Sequence, residues 1–285
     1  MATSKAVLIT GCSTGIGRAT AIMLAAKGWP VYATARKLDA VKDLEAKGCT
    51  TLALDVCDEA SMRAAVAEVE RAHGAVGVLV NNAGYGLEGC FEETPMELVR
   101  TQFETNVFGL IRMCQLVLPG MRKQGWGKIV NLSSVGGKLT LPGGAFYHAT
   151  KHAVEALSDA MRFEVHGFGI DVVVIEPGPI KTAFGRTAIA NVERVSKNGS
   201  PYGPFNAAVA GKIHEALEAG WMSALAGEPE DVAKAIEKAI SASRPRTRYT
   251  ITAAARTMMF LRRWLPDRGF DAFLGTQFPT PKSSA

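Results

Sequence analysis

At 285 residues, 47% of them hydrophobic and 21% charged, the chain has the make-up of a globular protein with a sizeable core, which excludes disorder everywhere but the two ends, MATSKA and TPKSSA. A formal net charge of +5 is mild for this length and gives no reason to expect a nucleic-acid partner, although arginines from Arg244 to Arg268 crowd the C-terminal part. Five cysteines with no CxxC and no neighbouring histidine at ligand spacing point to reduced thiols in the cytoplasm, and away from a metal centre or a disulfide framework.

Lys5 is followed only by the short apolar run VLIT, which ends before Gly11 without a cleavage site, so no signal peptide is expected. No run reaches the ~18 apolar residues of a transmembrane helix. AVLIT (6–10), PVYATA (30–35), TTLALD (50–55) and VGVLVN (76–81) read as buried strands. Between them, 16–27, 38–47 and 59–73 have helical apolar spacing. A long helical region over 95–123, a strand at 128–133, a helix carrying Tyr147 and a strand at 170–176 continue the alternation. Pro177-Gly178-Pro179 stops that last strand, regularity is lost over 180–227, and a Pro229-led helix follows. Alternating β and α elements predict one doubly wound, Rossmann-type parallel α/β sheet with helices on both faces. The expected organisation is a single catalytic unit over 1–252, with a substrate lid at about 180–227 and a C-terminal helical extension at 253–285 packed on the unit or on a partner.

The first strand runs into Thr10-Gly11-Cys12-Ser13-Thr14-Gly15-Ile16-Gly17 and then a helix. Glycines there allow a tight turn and close approach to a pyrophosphate, and the helix N-terminus favours an anion. Such a turn also serves merely to reverse a chain. In GGAFYHATKHAVEAL (143–157) a helix brings Tyr147 and Lys151 to one face, one turn apart. The pair is either a packed ring beside a solvated charge or a phenol tuned by an ammonium for proton transfer.

Taken in order, Thr10 to Gly17, Asn81-Asn82-Ala83-Gly84, Asn106, Ser134 and Tyr147-x-x-x-Lys151 resemble the short-chain dehydrogenase/reductase family over roughly residues 5–245. The resemblance implies that Tyr147 exchanges a proton with a substrate oxygen during hydride transfer and that Ser134, rather than its neighbour Ser133, hydrogen-bonds the same oxygen. It implies that Lys151 lowers the phenol's pKa and holds the nicotinamide ribose, and that Asn106 positions a water. Gly11, Ser13, Thr14, Gly15, Ile16 and Gly17 would cradle the cofactor; Asp55 and Val56 would meet the adenine, and Asn82, Ala83 and Gly84 the adenosine ribose or, equally, brace the sheet. Pro177, Gly178, Ile180 and Thr182 match the stretch that meets the nicotinamide amide. Where an NAD enzyme wants a carboxylate, Ala35 is followed by Arg36 and Lys37, which suit a 2′-phosphate; NADP(H) is therefore expected over NAD(H), the alternative being Arg36 stacked on adenine. His148, His152 and Cys12 are not expected to act in catalysis.

VLITGCSTGIG, VYATAR, SSVGGKLTLP and the tail RYTITAAARTMMFLRRWLP look most like the 17β-hydroxysteroid and retinol dehydrogenase branch, which implies an apolar ketone, aldehyde or alcohol. Phe184, Tyr202, Phe205, Trp221, Met222 and Leu225, with Leu141, Gly143, Gly144 and Phe146 opposite, either wall that substrate's pocket or form the lid's own core. The apolar, basic tail either docks on protein or lies peripherally on a membrane. The family implies a homodimer or homotetramer through the helices of Asn106 and Tyr147. The rival function is a non-catalytic cofactor-binding scaffold or redox sensor of the same fold, which would be free to lose Tyr147 or Lys151.

Overall fold

The apolar runs become strands β1 (Val7–Ile9), β2 (Val31–Ala35), β3 (Thr50–Ala53), β4 (Val78–Asn81), β5 (Gly127–Leu132), β6 (Ile170–Pro177) and β7 (Arg248–Ile251). In the computed structural model, which describes residues 3–217 and 225–281, they form one wholly parallel sheet in the order β3-β2-β1-β4-β5-β6-β7. The order reverses between β1 and β4, and in such a sheet the crevice beyond the strands' C-terminal ends at that reversal is where a ligand sits.

Side chains alternate across the sheet, so Val7 and Ile9, Val78 and Val80, and Val173 and Ile175 enter one apolar layer. That layer is closed by Ala21 and Leu24 of α1 (Gly15–Ala26) and by Val232, Ile236 and Ala239 of α8 (Pro229–Ser241). Leu8, Leu79, Ile129 and Val172 enter the other. There α2 (Glu59–His73), α4 (Gly109–Gln124) and α5 (Ala145–Val165) cover them with Val66, Met113, Val117 and Val154. Burial on both faces is why the strands read as continuous apolar runs.

The expected helix over 38–47 is instead two tight 3₁₀ turns, Leu38–Ala40 and Lys42–Lys47. Only Leu44 of them is buried, which is too little apolar surface to hold a longer helix against the sheet. The long helical region divides into α3 (Met96–Phe103), a π-helical turn at Glu104–Phe108, and α4. The stretch expected to be irregular contains α6 (Ala183–Val195) and α7 (Gly203–Leu217). The edge strand β7, unanticipated in the tail, precedes α9 (Ala253–Trp264) and α10 (Asp267–Gly275). Among the described residues no helix is long and apolar enough to cross a membrane.

Candidate active site

The inward stripe of α5 is polar where a core helix is ordinarily apolar: His148, Lys151, Glu155 and Ser158 are all buried. Each has a partner, as burial requires. Lys151 Nζ donates to Leu132 O at 2.7 Å, at the end of β5. Ser158 accepts from Asn131 at 2.9 Å, and Glu155 pairs with Arg248 at 3.0 Å. His148 Nδ1 lies 3.1 Å from the carbonyls of both Gly136 and Leu139, so it fixes the loop that begins at Ser134.

That loop separates the two rival serines. Ser133 is buried and, among the described residues, its hydroxyl has no partner; it faces Gly137, whose Cβ, if it had one, would stand 2.6 Å from Ser133 Oγ. Ser134 is half-buried, accepts from Gly136 N at 3.0 Å, lies 3.5 Å from Pro177 O and stands close enough to the Tyr147 phenol to act on its ionisation. Ser134 and Tyr147 therefore present two hydroxyls to one point.

Burial pushes the Tyr147 phenol above its ordinary value; the Ser134 hydroxyl opposes that shift and the Glu88 carboxylate adds to it. Lys151 stands 5.8 Å from the Tyr147 ring centre and is spent on Leu132 O. Desolvation, rather than Lys151, sets the direction of the phenol's shift. Lys151 itself is brought down to about 8 by burial, with Glu155 acting in the opposite sense.

Asn106 sits in the π-helical turn, where an extra residue re-aims side chains. Its carboxamide accepts from Tyr85 N at 3.1 Å and donates to Tyr85 O at 2.9 Å and to Thr150 Oγ1 at 3.2 Å. Thr150 Oγ1 in turn donates to Tyr147 O at 2.7 Å. Asn106 thereby ties the loop after β4 to the helix of Tyr147 and Lys151.

The opposite wall is a cradle for an anion. Helix α1 starts without a side-chain cap and without an acid in its first turn, whereas Asp58 and Thr182 cap α2 and α6. Its first N–H groups and the positive end of its dipole are left for a ligand. Gly11 adopts φ +75°, and a Cβ on Gly17 would stand 2.4 Å from Asn82 Nδ2 and 2.5 Å from Gly11 O. Asn82 donates to the carbonyls of Thr10 and Gly11, both at 2.9 Å, and Ala83 N donates to Thr10 Oγ1 at 3.0 Å, so this pair braces the turn. The 177–182 segment closes over the same helix end, since a Cβ on Gly15 would lie 3.2 Å from Thr182 Cγ2. Gly178 is pinned by Ile251 O at 3.1 Å, and Ile180 bridges to Gly227.

At the adenosine end, Arg36 and Lys37 are exposed and, among the described residues, neither is held in an ion pair, whereas Arg18 is bound to Asp43. Asp55 lies beyond the end of β3 and accepts from Cys57 N at 3.0 Å; Val56 is buried against Gly109. Cys12 is buried, with its thiol 3.4 Å from Ile9 O, as a filler under the turn.

Of the expected substrate wall, Phe184 meets Tyr147 with ring centres 5.3 Å apart, and Phe146 stacks on Phe91 at 4.9 Å. Leu141 and Gly143 line a cleft of about 450 Å³ shared with Arg262, Phe270 and Leu274 of the C-terminal extension. Tyr202 is turned away to Glu92, and Phe205 lines a different cleft, shared with Pro279 and Pro281. Leu225 is exposed. Trp221 and Met222 lie outside the described residues. Two site groups escaped sequence reasoning: His148, which faces inward rather than away, and Glu88, which carries no motif.

The short chain dehydrogenase family profile matches residues 5–193. The chain is 41% identical over 196 residues to a 3-ketodihydrosphingosine reductase of Bacteroides thetaiotaomicron, covering 69% of this chain and 71% of that one. It is 35% identical over 276 residues to an NADPH-dependent 3-dehydrocapnine reductase of Ornithobacterium rhinotracheale (93% and 94%), and 36% identical over 275 residues to human 17-beta-hydroxysteroid dehydrogenase type 1 (92% and 81%). Among solved structures, a short chain dehydrogenase/reductase from Burkholderia phymatum in complex with NAD superposes with a TM-score of 0.78 at 26% identity over the whole of both chains. With the family profile spanning more than half its length, this chain belongs to the short-chain dehydrogenase/reductase family, oxidoreductases acting on CH–OH and carbonyl groups.

Proposed function

We propose that the chain interconverts an apolar ketone or aldehyde and its alcohol, with NADP(H) preferred over NAD(H). The observation that carries this reading is the convergence of the Ser134 and Tyr147 hydroxyls beside buried Lys151, facing a cradle with an uncapped helix N-terminus. The bound nicotinamide would supply or accept the hydride at the carbon of the carbonyl. Gly11, Ser13, Thr14, Gly15, Ile16 and Gly17 would hold its pyrophosphate, Asp55 and Val56 the adenine, Asn82 to Gly84 the adenosine ribose, and Pro177, Gly178, Ile180 and Thr182 the amide. Arg36 and Lys37 would take the 2′-phosphate, because exposed cations without an ion pair are free to do so.

In the reducing direction Ser134 and Tyr147 orient the substrate oxygen between them. As that oxygen gains negative charge, Tyr147 gives up its proton to it, and the Ser134 hydroxyl donates a hydrogen bond that strengthens. A phenol kept protonated by burial suits this role. The Lys151 ammonium then stabilises the phenolate left behind, and Asn106 keeps α5 and the loop after β4 in register. Phe184, Phe146 and Leu141 exclude water and receive the apolar body, to which Trp221 would add from the lid. Relatives that reduce 3-ketodihydrosphingosine and 3-dehydrocapnine support an apolar carbonyl, and the NADPH dependence of the latter supports the cofactor choice.

The catalytic unit would comprise 1–252 with the lid at 180–227, and 253–285 would form the extension. Phe108 and Phe163, exposed on the helices of Asn106 and Tyr147, support a homodimer or homotetramer through those helices. The test is oxidation of NADPH and NADH against steroid ketones, retinal and long-chain ketones, with Tyr147→Phe alongside. Turnover should favour NADPH and fall by roughly three orders of magnitude or more in Tyr147→Phe, as expected for loss of a group acting in the chemical step, with NADPH binding by fluorescence nearly unchanged. Turnover retained by Tyr147→Phe would remove that residue from its role.

A further inference from the structure

Among the described residues, one residue other than glycine has a positive φ: Thr252, at φ +80° and ψ 146°, where β7 ends and α9 begins. That region of the backbone map belongs essentially to glycine, and a β-branched residue is poorly suited to it. The turn itself would be made more easily by glycine. Residues held in this way cluster where a fold positions a ligand, so the contacts of Thr252 decide what its strain serves.

Its side chain is forked, and each branch meets a glycine. The hydroxyl accepts from Ala255 N at 3.2 Å, capping α9, and stands where a Cβ on Gly178 would collide with it. The methyl group lies 3.1 Å from where a Cβ on Gly227 would be. These two glycines are the fastenings of the 178–181 segment. Gly178 N donates to Ile251 O at 3.1 Å, on one side. On the other, Gly227 donates to Pro179 O at 2.9 Å, accepts from Lys181 N at 3.0 Å and bridges to Ile180. The ends of the segment reach the site itself: Pro177 O lies 3.5 Å from Ser134 Oγ, and Thr182 closes over Gly15 at the start of α1. Thr252 thus touches both fastenings of a segment that runs from the hydroxyl pair to the anion cradle, while belonging to neither.

We propose that Thr252 is a positioning residue, whose strained backbone and forked side chain set the placement of 178–181 and hence of the nicotinamide end of the cofactor. The inference rests on the reading above that Pro177, Gly178, Ile180 and Thr182 hold the nicotinamide amide. Glycine at 252 relieves the strain but removes both contacts, which leaves Gly178 and Gly227 free to shift. Serine keeps the hydroxyl at Gly178 and the cap on α9 but not the methyl at Gly227, so it holds the segment on one side only. The adenosine end, at Arg36 and Asp55, follows β2 and β3, whereas β7 is the opposite edge of the sheet. The influence of Thr252 is therefore confined to one half of the cofactor.

The test compares, by titration calorimetry on the full chain, the affinities for NADPH and for 2′-phospho-ADP-ribose, which keeps the phosphates and lacks the nicotinamide. Wild-type protein should bind NADPH roughly tenfold more tightly, the worth of a ring and amide held in place. In Thr252→Gly that ratio should fall towards one, with affinity for 2′-phospho-ADP-ribose unchanged within about twofold. Thr252→Ser should fall between the two and decides by the same comparison if the glycine variant does not fold. A ratio that stays at the wild-type value in the variants overturns the proposal. So does a loss shared equally by both ligands, which marks general loosening, or a wild-type protein that binds the two ligands alike. Wild-type protein that binds neither ligand overturns the cofactor reading as well. A ratio that falls in the variants of a protein that reduces no carbonyl sustains the proposal while the carbonyl-reductase reading fails.

Discussion

A guanidinium on the surface at position 36, with no acid to hold it among the described residues, is the feature on which the proposed cofactor choice rests, and its removal should act on one cofactor only. Arg36→Ala should raise the KM for NADPH roughly ten- to hundredfold, the worth of a charge-assisted bidentate contact, and leave NADH within about twofold. Equal losses for both would mean that Arg36 stacks on adenine instead. Lys151 makes a second prediction of definite sign. Its pKa in the folded protein, about 8, lies below the ordinary 10.5, so the unfolded chain binds more protons between those values. The cost of burying the ammonium is full below pH 8 and disappears as pH rises towards 10.5. Relative to Lys151→Met, wild-type protein should gain melting temperature from pH 8 to pH 10; a constant difference would restore Lys151 to an ordinary pKa. Reduction should slow over the same range as the ammonium is lost. Both residues were legible in the sequence because they stand at motif spacing. Glu88 and His148 were not, since a single acid in a loop has no period, and only the packed helix shows that His148 turns inward to two carbonyls.

Elements were legible in proportion to how deeply both faces are buried. The strands β1, β4, β5 and β6 are buried on both sides, and the apolar runs within them announce themselves. The 183–217 helices are harder to see: α7 begins Gly-Pro-Phe-Asn and owes its place to Asn206, which accepts from Cys90 N at 3.0 Å, and to Val209 against Gly143. The edge strand β7 is half-exposed along its whole length, so its RYTI reads as polar tail. Tyr249 and Ile251 pack at the margin of the apolar layer, and a charge cluster adds to that hold. Arg248 reaches Glu155 at 3.0 Å, Asp159 at 2.7 Å and Glu176 at 3.3 Å, joining β7 to α5 and β6. Glu176 and Glu155 are almost fully buried, and loss of the guanidinium leaves Glu176 with the Thr250 hydroxyl and Glu155 with the more distant Lys138 at 3.5 Å. Arg248→Met should therefore cost about 3 kcal/mol, a drop of several degrees in melting temperature, whereas Arg162→Met, which has a partly exposed pair, should change it little. Similar losses in the two variants would show that the cluster is no more than a solvated surface network.

At the scale of the whole molecule, the sheet places the cradle and the hydroxyl pair on its C-terminal edge, and the extension is attached beside them. Ala255 of α9 packs at Gly178, and Phe270 of α10 is buried near Leu141, so the tail's inner face is committed to its own body. Its outer face is not: Phe260 and Trp264 are 66% and 70% exposed, next to Arg262 and Arg263. Arg262 is bound to Asp267 at 2.6 Å, which leaves Arg263 as the neighbouring cation for an anionic surface. Aromatic rings flanked by arginine suit the headgroup boundary of a bilayer, and a carbonyl substrate dissolved in that bilayer would then be collected beside its pocket. The double variant Phe260→Ser/Trp264→Ser preserves the inner face and is a cleaner probe than truncation, which would uncover Gly178 and Leu141. Wild-type protein should sediment with anionic vesicles, less with neutral ones, and the double variant should stay in the supernatant while its turnover of a water-soluble ketone is unchanged. If wild-type protein ignores both kinds of vesicle, the aromatic face serves protein contact, and analytical ultracentrifugation of the same two proteins should then show the variant dissociating where the wild type does not.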